Sequence, residues 1–322
     1  QWAKLNMLST DANSSRLVGR FAPTPSGKLH IGNAFSFLVA YLLVKQQGGI
    51  MRMRVEDLDT ARCKTEYIES LLRDFEWLGL TWEGEVVYQS RRNDLYKEAF
   101  NCLVQQDLVY SCYCSRADLH AASAPHSGEE VIYPGTCKNL TKKERISKGR
   151  FKDPSFRIKV NEATYSFKDY FQGSHSGSLP KESGDFIIRR SDGIFAYQLA
   201  VVCDDEEMGI TSVVRGCDLL VSTSKQLYLC EKLGFSHPEY GHIPLFVDTH
   251  GRRLAKRADD LSIEFLREES KLSSRDFLGL LAYSSGLIKE QQPCTIDELC
   301  KECDLSALQG AKTLSVPQLN PY

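Results

Sequence analysis

The chain has 322 residues, with 40 lysines and arginines against 42 aspartates and glutamates. That length provides for roughly two domains of ~100–200 residues and a core that needs neither metal nor disulfides to hold the whole fold. The balanced charge excludes a polycationic chain but allows a local basic face, and no apolar run of ~18 residues is present to form a transmembrane helix. The opening QWAKLNMLSTDANSS lacks the apolar core of a signal peptide, and residues 1–14 are expected to be a disordered polar arm. Eleven cysteines without a secretory signal read as reduced thiols in a cytoplasmic setting.

RLVGRF, Arg16 to Phe21, predicts a short strand that ends in a loop stiffened by Pro23 and Pro25. NAFSFLVAYLLVKQ is apolar enough for a buried helix, and GGIMRMRVED reads as a turn and a strand. KTEYIESLLRDFEWLGL has helical spacing at Ile68, Leu71, Leu72, Phe75 and Leu78. Strand, helix, strand, helix argues an α/β fold with a doubly wound, Rossmann-type parallel sheet. After Val109 the texture changes, and residues 110–185 are expected to be an insertion with its own small fold. GDFIIRRSDGIFAYQLAVVCDD reads as a hairpin turning at Ser191-Asp192-Gly193. ITSVVRGCDLL is a strand and loop, and STSKQLYLCEKLGF a helix capped by serine or threonine, with Gly234 near its end. From Ser262 to Leu308 the pattern is helical, which suggests a C-terminal helical bundle.

GRFAPTPSGKLHIGN, Gly19 to Asn33, places a stiff loop between a strand and a helix start. Free N–H groups and the helix dipole favour phosphate there. Gly27 and Gly32 would let a ligand approach the backbone, and His30 at the junction can hydrogen-bond a phosphoryl oxygen. Taken alone, this loop supports only a possible nucleotide site, with a plain turn the simpler reading. It is not the phosphate loop that ends in Gly-Lys-Ser/Thr.

Four motifs, in order, carry a family resemblance. LHIGN resembles the first signature of class I aminoacyl-tRNA synthetases, His-Ile-Gly-His, with Asn33 in the last position. The longer stretch GRFAPTPSGKLHIGN, RVEDLDTAR (54–62) and VVRGCDLL (213–220) resemble the glutamyl branch. GRRLAKR (251–257) resembles that branch's form of the second signature, Lys-Met-Ser-Lys-Ser, with Ala255 for serine. Asp57-Leu58-Asp59 and Arg215-Gly216-Cys217-Asp218 look like the truncated paralogues, the glutamyl-queuosine tRNA(Asp) synthetases. The residues after Arg257 are expected to be too few for an added anticodon-binding domain. The domains implied are two halves of a Rossmann catalytic domain at 15–109 and 186–245, a zinc-bearing insertion at 110–185, and the second-signature loop with a helical unit at 246–322.

The resemblance implies tRNA-independent activation of L-glutamate by ATP, then glutamyl transfer to queuosine in the anticodon of tRNA(Asp). A cytoplasmic monomer with no membrane partner is expected. Two alternatives stay open: a compact glutamyl-tRNA synthetase charging the acceptor end of tRNA(Glu), and a catalytically silent tRNA-binding relative, for which Ala255 is the support.

Glutamate carries two carboxylates and an ammonium, and arginine forks suit the carboxylates. The resemblance implies an L-glutamate site at Arg20, Phe21, Ala22, Pro23, Thr24, Glu56, Tyr197 and Arg215, with Glu56 facing the ammonium. Which arginine takes which carboxylate is open. ATP falls to His30, Gly32, Asn33 and Lys256, with Mg2+ carried by the triphosphate, and His30 and Lys256 as the catalytic pair. Asp59 is expected to cap the following helix. Three thiolates and one oxygen can close a tetrahedral zinc site. The resemblance implies Cys112, Cys114, Tyr133 and Cys137 as Zn2+ ligands, with His120 and His126 the conventional candidates for the fourth place. Cys300 and Cys303 share a helix face and read as ordinary helix residues.

Overall fold

A computed structural model describes residues 16–115, 118, 132–160, 164–248, 250–251, 262–270 and 272–317. The arm expected at 1–14, His120, His126, Ala255 and Lys256 lie outside the described residues. The strands are β1 (Val18–Phe21), β2 (Ile50–Val55), β3 (Val87–Tyr88), β4 (Val109–Cys112), β5 (Ser155–Ile158), β6 (Thr164–Asp169), β7 (Gly173–Ser178), β8 (Phe186–Arg189), β9 (Ser212–Gly216), β10 (Glu239–Ile243), β11 (Leu245–Val247) and β12 (Thr313–Ser315).

The main sheet has the order β3-β2-β1-β9-β10-β6-β7. β1 pairs with β2 in parallel, from Val18 opposite Ile50 to Phe21 opposite Met53. β9 lies parallel on the other flank of β1, and β10 lies parallel to β9. The chain therefore runs outward from β1 to β3, then returns to build on the opposite side. Connections leaving β1 and β9 part in opposite directions, which opens a crevice at their carboxyl ends.

Neighbouring residues of β9 show that both sheet faces are covered. Val213 belongs to an apolar cluster with Leu199, Tyr228 and Phe195. Val214 belongs to another with Phe21, Phe35 and Leu38. Successive strand side chains point to opposite faces. The second cluster is built by the helix Ile31–Gln46, and Phe277, Leu281 and Leu299 join it. The C-terminal helices Ile263–Glu268, Ser274–Ser284 and Ile296–Glu302 thus share the core of the first half.

Several local expectations are corrected. Residues 110–185 do not form one unit: β5 joins β4 and β8 in an antiparallel sheet, while the β6–β7 hairpin extends the main sheet. The hairpin expected after β8 is formed only at its turn, where the Arg190 N–H reaches the Ile194 carbonyl and the Ala196 N–H the Ile188 carbonyl. Gly193 turns the chain at φ 89° and Arg189 bridges Phe195, but the second run is the helix Tyr197–Glu207. It packs between the helices Asn93–Gln105 and Leu220–Leu233, and that burial outweighs the strand preference of Val201 and Val202. The helix Leu220–Leu233 starts ahead of its serines, with Leu219 as a cap that makes no side-chain bond. Gly234 closes it in the left-handed conformation. Asp59 is not a cap, because Lys64 holds that place and the Asp59 carboxylate pairs with Arg62 and Arg190. Among the described residues, no helix is long and apolar enough to cross a membrane.

Gly19 lets the helix Ile31–Gln46 lie close against β1. A Cβ there would stand 2.5 Å from Val44 Cγ2 and 2.8 Å from Met51 Sδ. Gly19→Ala is expected to lower the unfolding free energy by about 1–3 kcal/mol, read from urea titrations of the two proteins.

Candidate active site

A cavity of about 460 Å³ opens at the carboxyl ends of β1, β9 and β10, where the strand order reverses. Arg20, Ala22, Pro23 and Thr24 enter it from the end of β1, and His30, Gly32 and Asn33 from the helix start. Glu56 reaches it from the loop after β2, Tyr197 from the first turn of its helix, and Arg215 from β9. Phe21 is the exception. Strand alternation turns its ring into the core, fully buried against Phe75 at 4.8 Å and Phe37 at 5.9 Å.

His30 is the N-cap of the helix Ile31–Gln46. Its Nδ1 accepts the Gly32 N–H at 3.1 Å, while Asn33 Oδ1 accepts the His30 N–H at 3.2 Å. With Nδ1 accepting, the neutral ring carries its proton on Nε2. A Cβ on Gly32 would fall 3.0 Å from the imidazole, so this glycine, itself at the cavity wall, makes room for His30. The first helical turn has no acidic residue, which leaves its positive end suited to an anion.

Behind the cavity lies a buried charge network that joins Arg20 and Glu56 through Arg54 and Asp205, neither of which is among the expected site residues. Asp205 Oδ1 accepts from Arg20 Nε at 3.1 Å and from Arg54 Nη1 at 2.6 Å. Arg54 Nη2 then donates to Glu56 Oε1 at 3.1 Å. Among the described residues, Arg20 has no hydrogen-bond partner for its two terminal nitrogens, which leaves them to a ligand carboxylate. Burial pushes the Glu56 carboxyl above its usual range, against the pull of Arg54 and Arg20. A bound ammonium would restore its charge. Burial also acts on Asp205, but Arg54 and Arg20 override it and hold that carboxyl low.

Arg215 is held by a separate set of groups. It donates to His242 Nε2 at 3.0 Å, Gln226 Oε1 at 2.9 Å and Thr223 Oγ1 at 2.9 Å. His242 Nδ1 meets Asp169 Oδ2 at 2.5 Å, and Asp169 Oδ1 accepts the N–H groups of Phe171, Gln172 and His242. The imidazole that accepts from a guanidinium is thus neutral, and burial together with Arg215 lowers its pKa.

The family model for tRNA synthetases class I (E and Q), catalytic domain, matches residues 16–316. The glutamyl-Q tRNA(Asp) synthetase of Symbiobacterium thermophilum is 42% identical over 304 residues, covering 91% of this chain and 94% of that relative. The Pseudomonas fluorescens protein of the same name is 45% identical over 247 residues, covering 77% and 78%. This chain belongs to the class I glutamyl and glutaminyl tRNA synthetase family. A glutamate tRNA ligase from Elizabethkingia meningosepticum, solved in complex with its amino acid, shares the fold at a TM-score of 0.77 and 25% identity. That match covers 92% of this chain and 66% of the ligase.

This class I synthetase chain also brings three cysteine sulfurs together away from the cavity. Cys112, Cys114 and Cys137 have Sγ atoms within 4.8 Å of one another, with Cys114 and Cys137 at 3.6 Å. Tyr133 Oη stands 3.5 Å from Cys112 Sγ and 3.9 Å from Cys114 Sγ. Tetrahedral bonds of ~2.3 Å to sulfur and ~2.0 Å to oxygen place ligand atoms about 3.5–3.8 Å apart, so these residues fit a zinc ion. Burial raises the Tyr133 phenol, and the Cys112 thiolate adds to this. A divalent cation would reverse that order by favouring the anion. Burial also opposes ionisation of Cys112, but hydrogen bonds from Tyr133 and Arg157 hold its thiol low. Arg157 Nε lies 3.3 Å from Cys112 Sγ, and its guanidinium lies 3.7 Å from the centre of the Tyr133 ring.

The lowered His242 pKa sets a pH dependence. The native state binds fewer protons than the unfolded chain below ~6.5, so stability present above that pH is lost as pH falls through the folded value. The stability advantage of the native protein over His242→Asn is therefore expected to shrink between about pH 7.5 and 5. Urea titrations across that range check it, and an advantage that widens on acidification would reverse the assignment.

Proposed function

We propose that this protein activates L-glutamate with ATP and transfers it to queuosine in the anticodon of tRNA(Asp). The observation that carries the reading is the convergence of Arg20, Glu56 and Arg215 on one cavity beside the start of a helix. The open fork of Arg20 and the Glu56 carboxylate match one carboxylate and the ammonium of glutamate, and Arg215, already bonded through its nitrogens, adds positive charge for the second carboxylate. The relatives named glutamyl-Q tRNA(Asp) synthetase support queuosine in tRNA(Asp) as the acceptor.

A glutamate carboxylate oxygen attacks the α-phosphorus of ATP, the acyl-phosphate bond forms, and pyrophosphate leaves with the bond electrons. The nucleophile is ionised at neutral pH and needs no base. Catalysis then rests on alignment and on donors aimed at phosphoryl oxygens. His30 Nε2–H and the positive end of the helix supply these, and Lys256 of the second-signature motif adds a cation. Mg2+ enters with the triphosphate. Cys112, Cys114, Tyr133 and Cys137 hold Zn2+, which fastens the loops around β4 and takes no part in the reaction.

ATP–pyrophosphate exchange with glutamate, run with and without tRNA(Glu), tests the reading. Exchange without tRNA, followed by transfer of labelled glutamate to queuosine-containing tRNA(Asp), is the expected result. Exchange that requires tRNA(Glu) favours acceptor-end charging, and no exchange indicates a silent relative. His30→Asn keeps a capping oxygen but removes the Nε2–H donor. It is expected to slow exchange roughly 100–1,000-fold with little change in glutamate affinity. Cys114→Ser is expected to abolish bound zinc, measured by elemental analysis of the purified protein, and to lower its melting temperature.

A further inference from the structure

Residues 141–153 are exposed throughout, and the helix Lys142–Gly149 within them buries no residue. A capping box, rather than a core contact, starts this helix. Thr141 Oγ1 accepts the Glu144 N–H, and the Glu144 carboxylate accepts from Thr141. That contact engages the single acidic side chain of the helix. Lys142, Lys143, Arg145, Lys148 and Arg150 make no salt bridge among the described residues. Asp107 and Asp118, which feel this positive field, are bonded to Lys159 and Ser115. Phe151 lies in the same stretch and is 88% exposed, with Ile146 at 53%. Lys152 ties the segment to the cysteine loop by donating to the carbonyls of Tyr113 and Cys114 at 3.3 and 3.2 Å.

Among the described residues no ion pair engages these five cations, and the Phe151 ring in the same stretch stays exposed. Phosphates and an unstacked base complement both features, since cations follow the backbone and an aromatic ring takes a base face. We infer that the face formed by residues 142–152 binds an unpaired segment of the tRNA substrate, with Phe151 stacked on a base. This rests on the tRNA reading above and adds a binding surface to it. A single exposed ring and one isoleucine offer little apolar area for insertion into a lipid surface.

The test uses the full-length protein and queuosine-containing tRNA(Asp). Phe151→Ala is expected to raise the KM for tRNA about tenfold, because losing one stacked base weakens binding by that order. Phe151→Trp should restore it and Phe151→Leu should not. Lys142→Gln, Arg145→Gln and Lys148→Gln together should weaken binding and flatten the dependence of log K on log salt by about 0.7 for each phosphate no longer neutralised. Glutamate-dependent ATP–pyrophosphate exchange without tRNA is the control for folding, and all variants should keep it. Unchanged KM and salt slope in every variant, with transfer by the native protein intact, overturn the RNA face and leave the functional reading standing. Failure of the native protein to transfer glutamate to tRNA overturns both. Binding to phosphatidylserine vesicles that Phe151→Ala abolishes, with tRNA binding unaffected, also overturns the RNA face.

Discussion

Arg54 is the charge on which the geometry of the cavity depends. It is wholly enclosed, and a guanidinium does not shed its proton. Its position therefore requires anions, and Asp205, Glu56 and Asp204 surround it. Those anions come from different parts of the chain: the loop after β2 and the end of the helix Tyr197–Glu207. Removing one partner from such a set typically costs about 3–5 kcal/mol, because a buried charge is left uncompensated. The same network sets the site. Asp205 orients Arg20 and Arg54 orients Glu56, so one cation and one anion at the cavity wall are positioned by one rigid assembly.

The sheet decides where that assembly faces. Reversal of strand order between β1 and β9 places Arg20 and Arg215 on adjacent parallel strands, near carboxyl ends that no crossover covers. The helix that leaves β1 begins at the same edge, so its positive end lies at the cavity. The paired arginines and the helix start thus share one opening for a topological reason. His30 belongs to both structure and chemistry, since the bond that caps the helix also determines which ring nitrogen carries the proton.

The cysteine loop shows how a small core can be supplemented. Its apolar cluster contains Tyr110, Cys112, Tyr133 and Cys137, with little beyond them. A metal held by these side chains would add binding energy where burial is scarce. Lys152 passes that anchoring to the basic stretch beside it, which has no packing of its own.

Local pattern determined much of this protein. Hydrophobic spacing marked the helices Ile31–Gln46 and Thr65–Trp77, and motif order identified Arg20, His30, Glu56 and Arg215, because contiguous residues carry those signals. The cysteine spacing likewise pointed to a cluster that the fold closes. Tertiary structure alone decided the rest. Tyr197 starts a helix instead of continuing a strand because neighbouring helices bury that segment. Phe21 leaves the site because strand alternation turns it inward. Arg20 meets Asp205 across 185 residues and His242 meets Asp169 across 73, so no short window could show which charges would face each other. Pairing of buried charges is a property of the closed fold, whereas periodicity and motifs are properties of the chain.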